Sequence, residues 1–167
     1  MKIKLEDLKL LDNDIDLDEY IEFREYVKSY MEHPEWLGDF TKNQLEEMLK
    51  QESKIYVYYK DEEPVCSMMM IPATKKDMDS FNFNLDYNEV MDYGPIMVNP
   101  KYVGNNLGYQ MLLVENNYSK ENGYNYAVAT IHPDNIYSIN ILEKDNFEEK
   151  GQKVFKRGIR NIYFKKL

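Results

Sequence analysis

The stretch from residue 98 to residue 113 constrains the fold of this 167-residue chain more than any other, because it reads as a strand, a small-residue turn and a helix in direct succession. Its sequence is Val98-Asn-Pro-Lys-Tyr-Val-Gly-Asn-Asn-Leu-Gly108-Tyr-Gln-Met-Leu-Leu113. In such an arrangement the unpaired amides of the turn and the positive end of the helix dipole face one point, and both favour an anion. The stretch therefore predicts a phosphate-binding turn.

A second motif follows later in the chain and reads His132-Pro-Asp-Asn135-Ile-Tyr-Ser138-Ile-Asn-Ile-Leu142. In order and spacing, the two motifs resemble those of the GNAT N-acetyltransferase superfamily. That pattern is a strand ending in Val-x-Pro, then Arg or Gln-x-x-Gly-x-Gly or Ala opening a helix, and later Asn-x-x-Ser or Ala-x-x-Leu-Tyr. The resemblance covers residues 90 to 147 and ends at Asn146-Phe147, where the family often has Gly-Phe. The residues that match are Val98, Pro100, Gly108, Asn135, Ser138 and Ile141.

Three residues depart from the family pattern. Val103 stands where Arg or Gln is usual, and Asn106 replaces the middle glycine, although asparagine is the non-glycine residue that best tolerates positive φ. Leu142 occupies the position at which many members carry a tyrosine that protonates the leaving thiolate. The thiolate of coenzyme A, an ordinary alkyl thiol, could leave unprotonated. Otherwise a tyrosine elsewhere donates the proton, and the candidates are Tyr137, Tyr163 and Tyr109.

The resemblance implies a fold and a cosubstrate site. The expected fold is mixed α/β, a GNAT-like single domain over residues 1–167 with a central mixed, splayed β-sheet flanked by helices. Acetyl-coenzyme A would be the cosubstrate, its pantetheine pairing with the main chain of Ile96, Met97 and Val98. The pyrophosphate would meet the amides of the turn, and the second motif would contribute at the entrance to its helix. The turn and second-motif residues are Val103, Gly104, Asn105, Asn106, Gly108, Tyr109, Asn135 and Ser138.

Apolar periodicity predicts the elements around these motifs. A helix through Leu17–Met31 has Asp16 as its cap, and Thr41 with Gln44 has capping-box spacing. The remaining elements are strands 54–59 and 65–71 as a hairpin, strand 90–98, helix 105–121, strand 124–131, helix 135–145 and strands 147–155 and 159–166. The strand, helix, strand, helix order implies a parallel pair in a mixed sheet. Residues 81–87 suit either a short edge strand or a loop.

Acetylation of an amine needs a proton acceptor, because an ammonium has no lone pair with which to attack a thioester. Some family members carry a glutamate base six residues before the position of Val98, and Asp92 stands there. Glu89 is the second candidate, and Asp86 or His132 acting through a water is the third. A carboxylate of ordinary pKa near 4 is a weak base, so burial would have to raise the pKa.

The resemblance implies an enzyme, an N-acetyltransferase that moves an acetyl group directly from acetyl-coenzyme A to a primary amine in a ternary complex. The acceptor would be a small molecule or an amine borne by a peptide or protein. Leu142 and Val103 keep a second hypothesis open, a non-catalytic acyl-coenzyme A binding or regulatory module. A third is an interaction scaffold that uses the tyrosine-rich face of the first helix.

Composition limits the partners. The formal net charge of -9 argues against nucleic acid and favours a cationic acceptor. Two histidines about a hundred residues apart and the single Cys66 predict neither a metal site nor a disulfide. No apolar run approaches the roughly 18 residues that span a bilayer, and the start of the sequence lacks the apolar h-region of a signal peptide, so the expected location is the cytoplasm. A homodimer is compatible with these features.

Overall fold

The structure, a computed structural model, describes residues 2–167. It divides into two compact units, Met1–Ile71 with Gly94–Glu115, and Pro72–Tyr93 with Asn116–Leu167. The single domain expected from the sequence stays a prediction. The strands are β1 Lys9–Leu10, β2 Lys54–Lys60, β3 Glu63–Pro72, β4 Val90–Tyr93, β5 Met97–Val98, β6 Tyr126–Ile131, β7 Glu148–Phe155 and β8 Gly158–Lys166. The helices are α1 Asp14–Ser29, α2 Lys42–Lys50, α3 Lys75–Phe81, α4 Leu107–Glu121 and α5 Ile136–Lys144.

The first unit is an antiparallel set of strands in the order β1-β2-β3-β5. The predicted hairpin of β2 and β3 is confirmed. Alternate side chains of β2 pack with one face of α1 and with α2, because the strand period of two and the helix period of 3.6 each place apolar residues on one side. The buried side chains of this core include Tyr20, Phe23, Leu45, Ile55, Val57, Met69 and Met97.

The predicted N-cap of α2 is correct, and the predicted N-cap of α1 is wrong. Thr41 caps α2, where its hydroxyl accepts from the amide of Gln44 in the predicted capping box. Asp16 does not cap α1. The cap is Asn13, whose side-chain oxygen accepts from the amide of Asp16 at 2.9 Å. Asp16 lies one turn inside the helix, where its buried carboxylate binds Lys9 Nζ at 2.8 Å.

The second unit contains strands in the order β4-β6-β8-β7. Strand β4 runs parallel to β6, which confirms the predicted parallel pair, and the other pairings are antiparallel. A core of side chains from these strands and from α3 joins the sheet to that helix. Its buried members are Ala73, Met78, Phe81, Val90, Val128 and Ile162.

The predicted strand from 90 to 98 is wrong as a single element. It is two strands: β4 lies parallel to β6, and β5 pairs antiparallel with β3. Gly94 lies at the break, where its amide donates to the Met69 carbonyl at 2.8 Å. A Cβ at Gly94 would stand 2.9 Å from Met69 Cβ, so this close approach requires glycine.

Helix α3 is the element that periodicity failed to predict. Thr74 caps it in a capping box with Asp77, and Asn82 ends it at φ 58° in the left-handed region. The edge-strand interpretation of residues 81–87 is therefore wrong. The loop interpretation is right for residues 82–86, which follow the helix and precede a short 3-10 turn at Tyr87–Glu89.

Candidate functional site

Asn99 holds together the turn that follows β5 in the first unit. Its side chain is buried and accepts from the amide of Lys101 at 3.0 Å while donating to the Pro64 carbonyl at 2.9 Å. Its main chain pairs with both neighbours, donating to the Val65 carbonyl and accepting from the amide of Tyr102, each at 2.8 Å. Sequence reasoning did not single out Asn99. The signal was available, because Asn before Pro is a common start of a short helical turn.

The predicted anion turn then enters α4 in a conformation with two left-handed residues. Gly104 has φ 96° and Asn106 has φ 59°, so Asn106 adopts the conformation that its family counterpart, a glycine, would provide. Asn105 braces the turn by donating from its side chain to the Tyr102 carbonyl at 2.8 Å. At the start of α4 the Gln110 amide donates to the Asn106 carbonyl at 3.1 Å.

None of the side chains from Val103 to Tyr109 carries a positive charge. Val103, which stands in the position of the usual Arg or Gln, is 63% exposed. Gly108 is buried in the first turn of α4. The amides at the start of a helix have no carbonyl within the helix to accept from them, so they are the groups that could bind a phosphate here.

Strand β5 places the predicted pantetheine-binding main chain directly before this turn. Met97 pairs with Ser67 and Val98 pairs with Cys66 in the antiparallel ladder with β3. The Met97 side chain is buried in the core of the first unit, while Ile96 and Val98 keep partial exposure. Within residues 2–167, β3 is the one strand that pairs with β5, so the other edge of β5 has no strand partner.

Asp92 lies in β4 of the second unit, opposite Val128 of β6 in the parallel ladder. Burial of the carboxyl group, together with the negative charge of Asp77, raises the pKa of Asp92 to about 8. Part of the Asp92 surface remains accessible. The carboxyl group thus has a proton affinity in the range of a general base near neutral pH.

The other candidate bases have evident structural bonds. Glu89 Oε1 accepts from Asn125 Nδ2 at 2.6 Å, and the Glu89 carbonyl accepts from the Asn125 amide at 2.9 Å. Asp86 caps the 3-10 turn by accepting from the amide of Asn88. His132 Nδ1 accepts from the amide of Asp134 at 3.1 Å. These hydrogen bonds fix the local geometry of the chain. The roles of Glu89, Asp86 and His132 as general bases stay predictions.

The second motif forms the start of α5 in the second unit. Asn135 is its N-cap, and its side-chain oxygen accepts from the amide of Ser138 at 3.3 Å. Leu142 is buried in the same helix. Of the substitute proton donors, Tyr137 is 61% exposed, whereas Tyr163 is buried and its hydroxyl accepts from Asn161 Nδ2 at 3.5 Å. Tyr109 lies in the first turn of α4 and is partly buried.

A chain of buried polar groups in the second unit escaped sequence reasoning. Tyr93 Oη donates to Asn116 Oδ1 at 2.8 Å, Asn116 Nδ2 donates to Asp145 Oδ2 at 2.5 Å, and Lys165 Nζ binds Asp145 Oδ2 at 2.9 Å. Tyr93 Oη also lies 3.3 Å from Ser119 Oγ. These residues are far apart in sequence, so no local pattern could reveal the chain, which anchors the end of β4 next to Asp92.

The described residues contain neither a cluster of metal ligands nor a membrane-spanning helix. No three His, Cys, Asp or Glu side chains within residues 2–167 converge in a way that could hold a metal ion. None of the helices in that range has both the length and the apolar character needed to cross a membrane.

No protein-family model matches the sequence, and no curated protein matches it. Solved structures match nearly the whole chain. An acetyltransferase of the GNAT family from Streptococcus pneumoniae is 13% identical, with 96% of this chain and 99% of that one covered and a TM-score of 0.69. A ribosomal-protein-alanine N-acetyltransferase from Brucella melitensis is 15% identical, with 95% and 99% covered and a TM-score of 0.69. The aminoglycoside acetyltransferase AAC(6')-Ib, in complex with coenzyme A, is 18% identical, with 95% and 94% covered and a TM-score of 0.70.

These likenesses establish the architecture. The chain has the fold of the GNAT acetyltransferases, and the mixed α/β class expected from the two motifs is confirmed. At 13 to 18% identity the agreement concerns the fold alone, and a shared fold does not by itself imply a shared chemistry.

Proposed function

We propose that this protein is an N-acetyltransferase that moves an acetyl group from acetyl-coenzyme A directly to a primary amine. The observation that carries the proposal is the geometry of the first unit: β5 has an edge without a strand partner, and the turn braced by Asn99 leads from it straight into the start of α4. A main-chain edge followed by the amides of a helix start suits a ligand with amide groups at one end and phosphates at the other.

The binding roles follow from these groups. The main chain of Ile96–Val98 would pair with the pantetheine amides, and a donor in this stretch would polarise the thioester carbonyl as negative charge builds on its oxygen. Losing a donor of that kind typically costs 10²- to 10³-fold in rate. The amides from Val103 to Tyr109 would bind the pyrophosphate. Asn135 and Ser138 would contribute from the start of α5, where Asn135 also serves as the cap.

Asp92 would take the proton from the attacking amine, and Glu89 is the reserve candidate. A base works best when its pKa lies close to the pH at which it operates, and the pKa of Asp92 is raised to about 8. An ordinary aspartate, with a pKa near 4, would hold the proton far too weakly to compete with an alkylamine. The raised pKa thus makes proton transfer from the amine to Asp92 more favourable than transfer to an ordinary aspartate.

The acceptor would be a primary amine that carries positive charge, either a small molecule or an amine on a peptide or protein. The formal net charge of -9 would raise the local concentration of such an acceptor. The fold is compatible with both classes, since two of the three solved structures named above are a ribosomal-protein-alanine N-acetyltransferase and an aminoglycoside acetyltransferase. We include a cytoplasmic location in the proposal, because the enzyme would need acetyl-coenzyme A in its own compartment.

The test is release of free thiol from acetyl-coenzyme A with a panel of amines, followed by mass spectrometry of the acceptor. Steady release with a matching gain of one acetyl group supports the proposal. Leu142, which is buried and has no dissociable proton, specifically favours the alternative of a non-catalytic acyl-coenzyme A module. Tight binding of acetyl-coenzyme A without turnover of any amine would establish that alternative. Absence of both binding and turnover would exclude both.

A further inference from the structure

The positive charge of the protein is concentrated at one end of the sequence. Residues 150–167 contain seven of the 21 Lys and Arg residues and none of the 30 Asp and Glu residues. That segment carries +7, and the remaining residues carry 14 basic against 30 acidic side chains, a net charge of -16. Although the net charge of the whole chain is -9, the segment of residues 150–167 is basic and could attract an acidic partner locally.

The basic segment forms the hairpin of β7 and β8 except for the first two residues of β7, which are the acidic Glu148 and Glu149. The turn residues Lys156 and Arg157 are exposed at its tip, and Lys153 and Arg160 form the third cross-strand pair counted from that tip. Burial and the nearby charge of Arg157 lower the pKa of Arg160, so positive charges lie close to one another here. Lys153 is positioned by α3, since its ammonium donates to the Ser80 carbonyl at 2.7 Å and to Ser80 Oγ at 2.8 Å.

The same tip exposes an aliphatic pair. Val154 is 74% exposed and its cross-strand partner Ile159 is 39% exposed. Lysines on an edge strand often serve only to prevent pairing with other chains. Two exposed aliphatic side chains facing one another act against that purpose, because they add apolar surface where protection calls for charge. The positive charge and the exposed aliphatic side chains together indicate an interaction surface.

Strand β7 also offers main-chain groups. It is the last strand in the order β4-β6-β8-β7, and β8 is the one strand within residues 2–167 that pairs with it. Most of its side chains are exposed. An open edge of this kind accepts an added strand through backbone hydrogen bonds, and the side chains that flank it select the partner.

We propose that the β7–β8 hairpin is a docking surface for an acidic, strand-forming segment of another protein, which pairs with the edge of β7. Aliphatic side chains of that segment would cover Val154 and Ile159, and its carboxylates would face Lys156 and Arg157. Charge complementarity is the argument for an acidic occupant, and the open edge is the argument for a peptide. A nucleic acid has no groups that continue a β-ladder, and a long polyanion would be repelled by the net charge of -16 on the remaining residues.

A defined set of probes tests the proposal on the intact protein. Three fluorescein-labelled heptapeptides, alternating Val with Glu, Val with Lys and Pro with Glu, are titrated with the protein and followed by fluorescence anisotropy. The Val/Glu peptide should bind at least tenfold more tightly than the other two, because it alone combines acidity with a strand conformation. Its binding should weaken with added salt, and the NMR amide signals of β7 should shift in its presence.

Paired variants locate the surface. Lys156→Glu with Arg157→Glu should weaken Val/Glu binding at least tenfold, whereas Lys75→Glu with Lys76→Glu, the same charge change at exposed sites on α3, should change it less than twofold. Equal binding of the Pro/Glu peptide, equal loss in both double variants, or tighter binding to a single-stranded RNA 12-mer or to phosphatidylglycerol vesicles would each overturn the proposal. Acetyl transfer is independent of this outcome, so failure here leaves the proposed function untouched.

Discussion

Tyr93 Oη donates a 2.8 Å hydrogen bond to Asn116 Oδ1, and both residues are buried. Tyr93→Phe removes this donor and leaves a buried amide oxygen without it, so the variant should lower the free energy of unfolding by about 1 to 3 kcal/mol. Urea denaturation measures the loss. Tyr87→Phe is the matched control, because Tyr87 is 40% exposed. Equal stability of the two variants would show that the buried polar chain contributes nothing.

Coenzyme A should bind at the turn before α4. At a hundredfold excess over Kd a ligand stabilises the folded state by about 2.7 kcal/mol, which raises Tm by roughly 5 to 11 °C for a domain of this size. Gly108→Glu should abolish the shift by placing bulk and negative charge against the phosphates. Asn117→Glu, an exposed site on the same helix, should keep it. A Gly108→Glu variant that has native circular dichroism and normal binding would rule out the turn as the phosphate site.

Asp92→Asn should lower kcat about 10²- to 10⁴-fold while leaving the affinity for coenzyme A nearly unchanged, because the change removes a proton acceptor and keeps the shape. Glu89→Gln should cost far less, since Glu89 is held by Asn125. Steady-state kinetics with a good amine acceptor measures both. Loss of affinity at constant kcat would make Asp92 a structural carboxylate.

The raised pKa of Asp92 also predicts how stability depends on pH. Between about pH 4 and pH 8 the folded state keeps a proton that the unfolded state has released, so the free energy of unfolding falls as the pH rises through this window. Asp92→Asn removes this dependence. The variant should match the wild type near pH 4 and exceed its stability by about 2 to 5 kcal/mol near pH 9. Parallel stability curves for both proteins would contradict the assignment.

Asp77 should tune the pH profile of catalysis, since its negative charge contributes to the raised pKa of Asp92. Asp77→Asn should therefore move the acidic limb of kcat/KM to lower pH without changing its height at the plateau. Asp79→Asn, an exposed site on the same helix, should leave the limb in place. If the acidic limb of kcat/KM is unchanged in Asp77→Asn but absent in Asp92→Asn, the raised pKa of Asp92 is due to burial alone.

Leu142 allows a test of how the thiolate leaves. If it leaves unprotonated, Tyr137→Phe, Tyr163→Phe and Tyr109→Phe should all retain kcat, whereas a tyrosine that acts as the acid should cost about tenfold or more when changed. Leu142→Tyr should keep or raise kcat per folded molecule. Because Leu142 is buried, the larger side chain should also cost about 1 to 3 kcal/mol of stability, so rates must be normalised to the folded fraction.

Local pattern was sufficient for much of this molecule. The capping box of Thr41, the hairpin of β2 and β3, the helix after the small-residue turn and the parallel pairing of β4 with β6 could all be predicted, because each depends on residues close in sequence or on the order of elements. The left-handed conformation of Asn106 belongs to the same class, since it is a property of one residue type at one position.

Helix α3 and the break at Gly94 show where local pattern failed. The capping signal of Thr74 and Asp77 was present in the sequence, but the alternation from Phe81 onward obscured it. The break between β4 and β5 depends on Met69, which is remote in sequence and approaches Gly94 closely enough to exclude a side chain.

The sequence by itself determined the GNAT motifs, the residue types at the candidate site and the order of elements. Tertiary structure alone decided which carboxylate has a raised pKa, because desolvation and the charge of Asp77 act on Asp92 through space. It likewise assembled the chain from Tyr93 to Lys165 and left the edge of β7 open beside exposed Val154. Burial and through-space contacts join residues that are distant in the chain, and no sequence period encodes them.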